Sequence, residues 1–192
     1  SGTGGTFTDG PVESEEAETA SGHPALAVDG FPADSVRVAL DEEGIEADLV
    51  VSGINEGQNV GALVDVSGTI GAARAAVARD VPALALSAGF GPFEAGYEAG
   101  VDLMLDWIDE NLDALLAGEA EVEVTSINIP SCTDGEVRGP VEVPVATEGD
   151  FLEPQDCTSP LEDPSDDTEA LNNGFAAISV VPDEPETPPE AR

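Results

Sequence analysis

The spacing of apolar and polar positions changes period several times along this chain, and each change marks an element. Leu49-Val50-Val51 is a short apolar run between turn residues. It is too short for a helix and predicts a buried strand that stops at Ser52-Gly53. A polar loop carrying Asn55, Gly57, Asn59 and Gly61 follows, and after Ser67-Gly68-Thr69 the residues Ile70, Ala73 and Val77 recur on one helical face. A second apolar run at 83–86, after Pro82, closes the unit. Strand, loop, helix and strand in this order outline a right-handed crossover in a parallel sheet.

The flanks read in the same way. A strand is expected at 25–28, after a Ser-Gly-His-Pro turn. Asp34 or Ser35 then caps a short helix through Leu40, with Val36, Ala39 and Leu40 facing inward and Gly44 ending it. Farther on, Val101, Leu105, Ile108, Leu112 and Leu115 repeat at helical spacing over 94–116, with Met104 and Trp107 beside the stripe and Gly118 as the stop. Residues 122–129 predict another strand. From Ser131 onward, short strand-like pieces at Val137 and 141–145 lie between Gly and Pro breaks. The Pro- and Glu-rich end, 183–192, predicts a disordered acidic tail.

Composition alters the picture in one respect, charge. The 192 residues suit one domain, but 41 acidic residues face five arginines and no lysine, for a net charge of −36. Such a field repels nucleic-acid backbones and anionic membranes, so long nucleic acid and membrane are excluded as partners. It also repels a free nucleotide, so capture of a phosphate requires a bound cation or local amides. Screening at high salt would relieve the self-repulsion, since the Debye length falls to about 3 Å at 1 M; this points to a salt-loving habitat. The acidic run at 13–18 is expected simply to face water.

The candidate chemistry sits in the central unit. Glycines let backbone approach a ligand closely, and free amides at the N-terminus of the helix after Ser67 favour an anion, most simply a phosphate. Asn55 and Asn59 lie just beyond a strand's carboxyl end, where ligands bind in open α/β sheets. Their oxygens suit a hard divalent cation and their NH2 groups suit phosphate oxygens. The plainer alternative is that these are ordinary turn residues and Ser67 an ordinary N-cap. Phe90 and Phe93, in a Gly-rich loop, are either a wall for a nucleobase or the closure of a core edge. His23, the one histidine, reads as a surface turn residue rather than an acid or a ligand. Arg37, Arg74 and Arg79 are expected to pair with nearby carboxylates; the last two lie too far along their helix to reach a phosphate at its first turn. Cys132 and Cys157 fit no zinc spacing. They form either a disulfide, which would point outside the cytosol, or two buried thiols.

SGIN-x-G-x-N-x-G at 52–61, SGT-x-GAA at 67–73 and PALA-x-S at 82–87 resemble the core signature of the SurE family. Ser1-Gly2 with its Thr/Gly tract is similar to that family's SGAS-type loop, VDGFPADSV at 28–36 to its VDGTPADCV segment, and Asn128-Ile129-Pro130 to its N-x-NVP segment. DTEALNNGFAAISVVP at 167–182 resembles its last segment, so the likeness spans nearly everything outside the acidic tail. The resemblance implies a three-layer, Rossmann-like α/β fold over 1–182 with a parallel-rich sheet. It also implies an extended β-arm at 131–165 that exchanges between subunits of a homodimer.

As to activity, the resemblance implies a metal-dependent 5'/3'-nucleotidase, a phosphomonoesterase acting on nucleoside monophosphates or similar small phosphate esters with Mg2+ or Mn2+. In that role Ser1 and Asn55 would ligate the metal, and Asn59, Ser67, Gly68 and Thr69 would orient the phosphoryl group. Asn55, Asn59 and Ser67 would be the catalytic set. The family's first strand, ending in two metal-ligating aspartates, has no counterpart here: no Asp-Asp pair precedes Asp166-Asp167. The chain is therefore expected to be an N-terminally truncated member with impaired catalysis. Two rivals stand beside this reading, a non-catalytic anion- or nucleotide-binding module without the metal, and an acidic surface protein whose loop only stabilises the fold. The expected location is extracellular, or else the cytoplasm of a halophile.

Overall fold

The structure, a computed structural model, describes residues 2–91 and 93–182, with the backbone alone at 93–95. Ser1 and the expected disordered tail at 183–192 lie outside the described residues. In chain order the elements are β1 (Ser14–Glu18), β2 (Pro24–Val28), α1 (Pro32–Arg37), β3 (Val50–Glu56), α2 (Gly68–Val77), β4 (Ala83–Ala88), α3 (Phe93–Ala117), β5 (Val124–Ile129), β6 (Arg138–Glu142), α4 (Asp167–Asn172) and β7 (Phe175–Val181). A π-turn, Val38–Glu42, extends α1, and a 3-10 turn, Gly61–Asp65, precedes α2.

The main sheet has the order β3-β4-β5-β7-β6. β3, β4 and β5 are mutually parallel, β7 runs antiparallel to β5, and β6 is parallel to β7. Every residue of β4 and β5 is buried, because helices cover both faces of the centre. On one face α1 and α2 pack Ala33, Ile70, Ala73 and Ala76 against Ala85 and Val124. On the other, Leu103, Met104 and Trp107 of α3 pack against Leu84, Leu86, Ile127 and Ile129. The result is the expected three-layer α/β arrangement, with a mixed, mostly parallel sheet.

Several local expectations are corrected. β3 does not stop at Gly53 but runs on to Glu56, so Asn55 belongs to a strand rather than to a loop. The strand is irregular between Ser52 and Asn55, where Gly53 takes φ +124° and lies so close to the Leu86 carbonyl that no side chain would fit. In α3 the inward face is not the predicted stripe: Val101, Leu105 and Leu112 are exposed, and of that set only Leu115 is fully buried. Gly100 brings the helix close to the sheet, since a Cβ there would sit 3.1 Å from both Ile54 and Ile129. That approach turns the bulkiest side chains, Met104 and Trp107, into the core.

In α1 Phe31 is the N-cap and Asp34 sits at the third position, its carboxylate accepting the Phe31 N–H at 2.9 Å. Asp34 is thus the reciprocal half of a capping box rather than the cap itself. Ser35 is exposed and caps nothing. The acidic run does face water, but as β1 of a hairpin with β2, paired from Ser14↔Val28 to Glu18↔Pro24. His23 lies in the exposed hairpin turn, its carbonyl accepting from Thr19 N–H.

The segment 131–165 contributes β6 to the edge beyond β7 and otherwise loops over the end of the sheet. Cys132 and Cys157 are joined as a disulfide with Cα atoms 5.7 Å apart, which resolves the choice left open above. Among the described residues no helix is long and apolar enough to cross a membrane.

Candidate functional site

Register across three parallel strands assembles the site. Asn55 of β3 is level with Ser87 of β4, and Ser87 with Asn128 of β5, so three polar residues form a row near the strands' carboxyl ends. The loop after β3 folds back onto that row. Asn59 N–H donates to Asn128 Oδ1 at 2.7 Å, Asn59 Nδ2 donates to Ser87 Oγ, and Asn128 Nδ2 donates to the Asn59 carbonyl at 3.3 Å and to Ser126 Oγ at 3.1 Å. Asn59, Ser87 and Asn128 are buried, so this network is held away from water, where each satisfied bond matters most. Asn55 Nδ2 donates to the Gly57 carbonyl at 2.7 Å, which fixes the amide and leaves Oδ1 as its acceptor.

α2 begins beside this row, because a crossover helix runs antiparallel to its strands and starts where β3 ends. Ser67 is its N-cap, Oγ accepting from Ile70 N–H at 3.2 Å, so the plainer reading of Ser67 holds structurally while its O–H remains a donor. Gly68 and Thr69 follow as the first two helical residues, both buried.

The N-terminal loop lies across the first turns of α2. Gly4 N–H donates to the Val66 carbonyl at 2.9 Å, and Gly71 has no side chain to keep Gly4 and Gly5 away. Thr3 Oγ1 is buried with no partner among the described residues, an orphaned polar atom next to the helix mouth. The far end of this loop is held by Asp34, whose buried carboxylate accepts from Thr8 N–H at 3.0 Å and Thr8 Oγ1 at 2.7 Å and pairs with Arg37 at 3.0 Å. Burial alone would raise the Asp34 pKa; the hydrogen bonds from Thr8 and Phe31 and the Arg37 charge outweigh it and lower the value.

A second buried carboxylate holds the loop from the other side. Asp167 accepts from Gly61 N–H at 3.1 Å and Ala146 N–H at 2.9 Å, joining the loop after β3 to the C-terminal third. Desolvation dominates here, and the Asp167 pKa is raised. Its neighbour Asp166 caps α4 by accepting from Glu169 N–H at 2.8 Å. The Asp166-Asp167 pair is therefore structural at both positions.

The arginines are engaged as expected. Arg74 pairs with Asp65 at 3.1 Å and Arg79 with Asp41 at 2.7 Å; the Arg79 hydrogen bond and charge lower the Asp41 pKa against burial. Arg138 lies 3.9 Å from the Phe175 ring centroid. Among the described residues no group of three or more His, Cys, Asp or Glu side chains is arranged to hold a metal ion.

Of the six residues read from the sequence as the site, Asn55 lies near the carboxyl end of β3, Asn59 is bonded to Ser87 and Asn128, and Ser67, Gly68 and Thr69 form the start of α2, while Ser1 lies outside the described residues. Sequence reading gave Ser87, Asn128 and Asp167 no role in the site and read Asp34 only as a candidate helix cap, yet these four fix the loops at this end of the sheet. Ser87 had a usable signal, since it ends the apolar run 83–86 with a polar side chain. The carboxyl end of the sheet therefore carries Asn55 beside a buried, hydrogen-bonded base of Asn59, Ser87 and Asn128.

Comparison with known proteins decides the family. Residues 1–149 match the family model described as Survival protein SurE. The chain belongs to the SurE family. A relative named 5'-nucleotidase SurE from Brevibacillus brevis is 35% identical over 201 residues, covering 94% of this chain and 75% of the relative. One so named from Desulfatibacillum aliphaticivorans is 34% identical, covering 67% of this chain and 50% of the relative. A third, from Methanopyrus kandleri, is 49% identical over 81 residues, 40% of this chain and 30% of the relative. The chain thus spans half or less of the length of several SurE relatives. The crystal structure of the SurE protein from Aquifex aeolicus superposes with a TM-score of 0.70 at 24% identity, covering 96% of this chain and 79% of that one. It shows that the SurE fold is shared.

Proposed function

We propose that this protein is a phosphomonoesterase that releases phosphate from nucleoside 5'- and 3'-monophosphates with a divalent cation, Mg2+ or Mn2+. One observation carries the reading: Asn55, its Nδ2 bonded to the Gly57 carbonyl, stands level with Ser87 and Asn128 at the carboxyl end of the parallel strands, the end from which the crossover to α2 departs. The name 5'-nucleotidase borne by the relatives supports the substrate class. The phosphate would rest on the free amides of Gly68 and Thr69 and the positive end of α2, with the Ser67 hydroxyl and the second Asn59 N–H as further donors. In a chain of net charge −36 those amides do work that a free arginine would do elsewhere, because Arg37, Arg74 and Arg79 are held by carboxylates.

Asn55 and Ser1 would be ligands of the cation, which when bound polarises a phosphoryl oxygen and lowers the pKa of attacking water. The described residues do not by themselves complete such a site, because Asn55 brings a neutral oxygen and a hard dication takes about six oxygens, carboxylates among them. Turnover by this chain is accordingly expected to be weak. The same observation favours a second reading, a module that binds the nucleotide without hydrolysing it. A homodimer through 131–165 and a location outside the cytosol complete the proposal, the latter supported by the disulfide.

Phosphate release from 5'-AMP and 3'-AMP, with and without Mn2+, tests the reading in the protein and in Asn55→Ala. Mn2+-dependent release that disappears in a folded Asn55→Ala supports it. AMP binding without release selects the second reading, and release that survives in Asn55→Ala removes Asn55 from the site.

A further inference from the structure

We infer that Phe90 is the stacking platform for the nucleobase of the bound nucleotide, an inference that rests on the nucleotide reading above. Phe90 is 57% exposed, so it does not close a core edge. Nor is it a loosely held surface ring. Its N–H donates to Gln58 Oε1 at 3.0 Å, and Gln58, only 3% exposed, donates from Nε2 to the Phe151 carbonyl at 2.7 Å. The residue before it is fixed as well: Gly89 N–H donates to the Ile129 carbonyl at 2.7 Å, and the Gly89 carbonyl accepts from Ser131 Oγ at 2.6 Å. One side of the ring lies against the backbone of Gly57, where an added Cβ would come within 2.7 Å of Phe90 Cε1 and 2.9 Å of Cζ. More than half of the residue remains exposed to solvent.

Gly57 is also the residue whose carbonyl accepts from Asn55 Nδ2 and whose N–H donates to the Ala88 carbonyl, both at 2.7 Å. A single glycine therefore seats the aromatic ring and orients the candidate ligand Asn55. A phosphate at the α2 mouth and a base on the ring would be gripped by parts of one hydrogen-bonded frame. The chemistry suits a base in particular. On a surface of net charge −36 a neutral, flat, apolar moiety escapes the repulsion that an anion meets, and every nucleobase offers a π-face for stacking. Stacking of this kind ranks bases by ring area rather than by edge pattern, so purines should bind more tightly than pyrimidines, with little distinction between A and G.

The test is calorimetric titration, in the presence of Mn2+, of 5'-AMP and of the base-free ribose 5-phosphate into the protein, Phe90→Ala and Phe90→Trp. Thermal unfolding serves as the check that each variant is folded. The expected result is that Phe90→Ala weakens AMP by about tenfold. Ribose 5-phosphate should be unaffected, and Phe90→Trp should retain AMP affinity. Equal loss of both ligands, or no loss of either, overturns the role of Phe90 and leaves the phosphate site standing. Failure of both ligands to bind the unsubstituted protein overturns the nucleotide reading and this inference with it.

Discussion

Replacing Gly71 by alanine is the sharpest probe of how the N-terminal loop serves the site. Gly71 lies in the second turn of α2, directly under Gly4 and Gly5. A methyl group there would sit 2.5 Å from the Gly4 carbonyl carbon and 2.9 Å from Gly5 N, against an ordinary contact of 3.4 Å or more, so the loop must retreat by roughly 1 Å. Helix propensity alone predicts the opposite sign, a gain of about 1 kcal/mol for alanine over glycine. Loss of the bond from Gly4 N–H to the Val66 carbonyl costs about 1 kcal/mol, so the two effects nearly cancel in global stability. The expected outcome is a melting temperature close to that of the unsubstituted protein, together with fast hydrogen exchange at the Gly4 amide. Displacement of a positioning loop by about 1 Å lowers turnover by about a hundredfold. Amide exchange followed by mass spectrometry reads the first effect without requiring activity, and phosphate release reads the second. Unchanged protection at Gly4 in folded Gly71→Ala would refute the claim that this loop is seated on α2 by the missing side chain.

Two further expectations concern stability. Reduction of the Cys132–Cys157 bridge, which closes a loop with a sequence separation of 25, should lower the unfolding free energy by about 3.5 kcal/mol on the loop-entropy relation. Urea unfolding with and without reductant checks the size, and an unchanged midpoint would show that the bridge constrains nothing in the unfolded chain. The two buried carboxylates predict opposite responses to acid, reckoned from an ordinary aspartate value of 3.8. Asp34 is lowered in the folded state, so its contribution is present above about pH 4 and is lost as pH falls through the folded value. Asp167 is raised, so its contribution is full below about pH 4 and is lost as pH rises through the folded value. Asp34→Asn should therefore flatten the loss of stability on strong acidification, whereas Asp167→Asn should remove a gain in the range just above pH 4. Denaturant midpoints from pH 2.5 to 7 distinguish these shapes, and parallel curves for the two variants would contradict the assignment.

Much of the fold is written in short-range signals. The strand, loop, helix and strand around Asn55 to Ser87 are legible because each rests on nearest-neighbour chemistry: apolar β-branched runs, glycines at the turns and Ser67 as an N-cap. The face that α3 presents was not legible. Its apolar residues cover much of its circumference, and the close approach at Gly100, rather than periodicity, chooses Leu103, Met104 and Trp107 over Val101, Leu105 and Leu112. The buried anchoring roles of Asp34, read only as a helix cap, and of Asp167 were not legible for a compositional reason, since in so acidic a chain any one carboxylate reads as surface. Their burial is tolerable only because distant backbone amides, Thr8 for one and Gly61 and Ala146 for the other, converge on them.

By itself the sequence determined the order strand, loop, helix and strand, the N-cap at Ser67, and that Asn55 lies within a few residues of a strand's end. Tertiary structure alone decided that Asn55, Ser87 and Asn128 stand level across three strands, that Asn59 locks that row, and that Cys132 meets Cys157. The physical reason is reach. Propensity and capping act over a few residues, whereas register, burial and cross-linking depend on partners tens of residues away that only packing brings together.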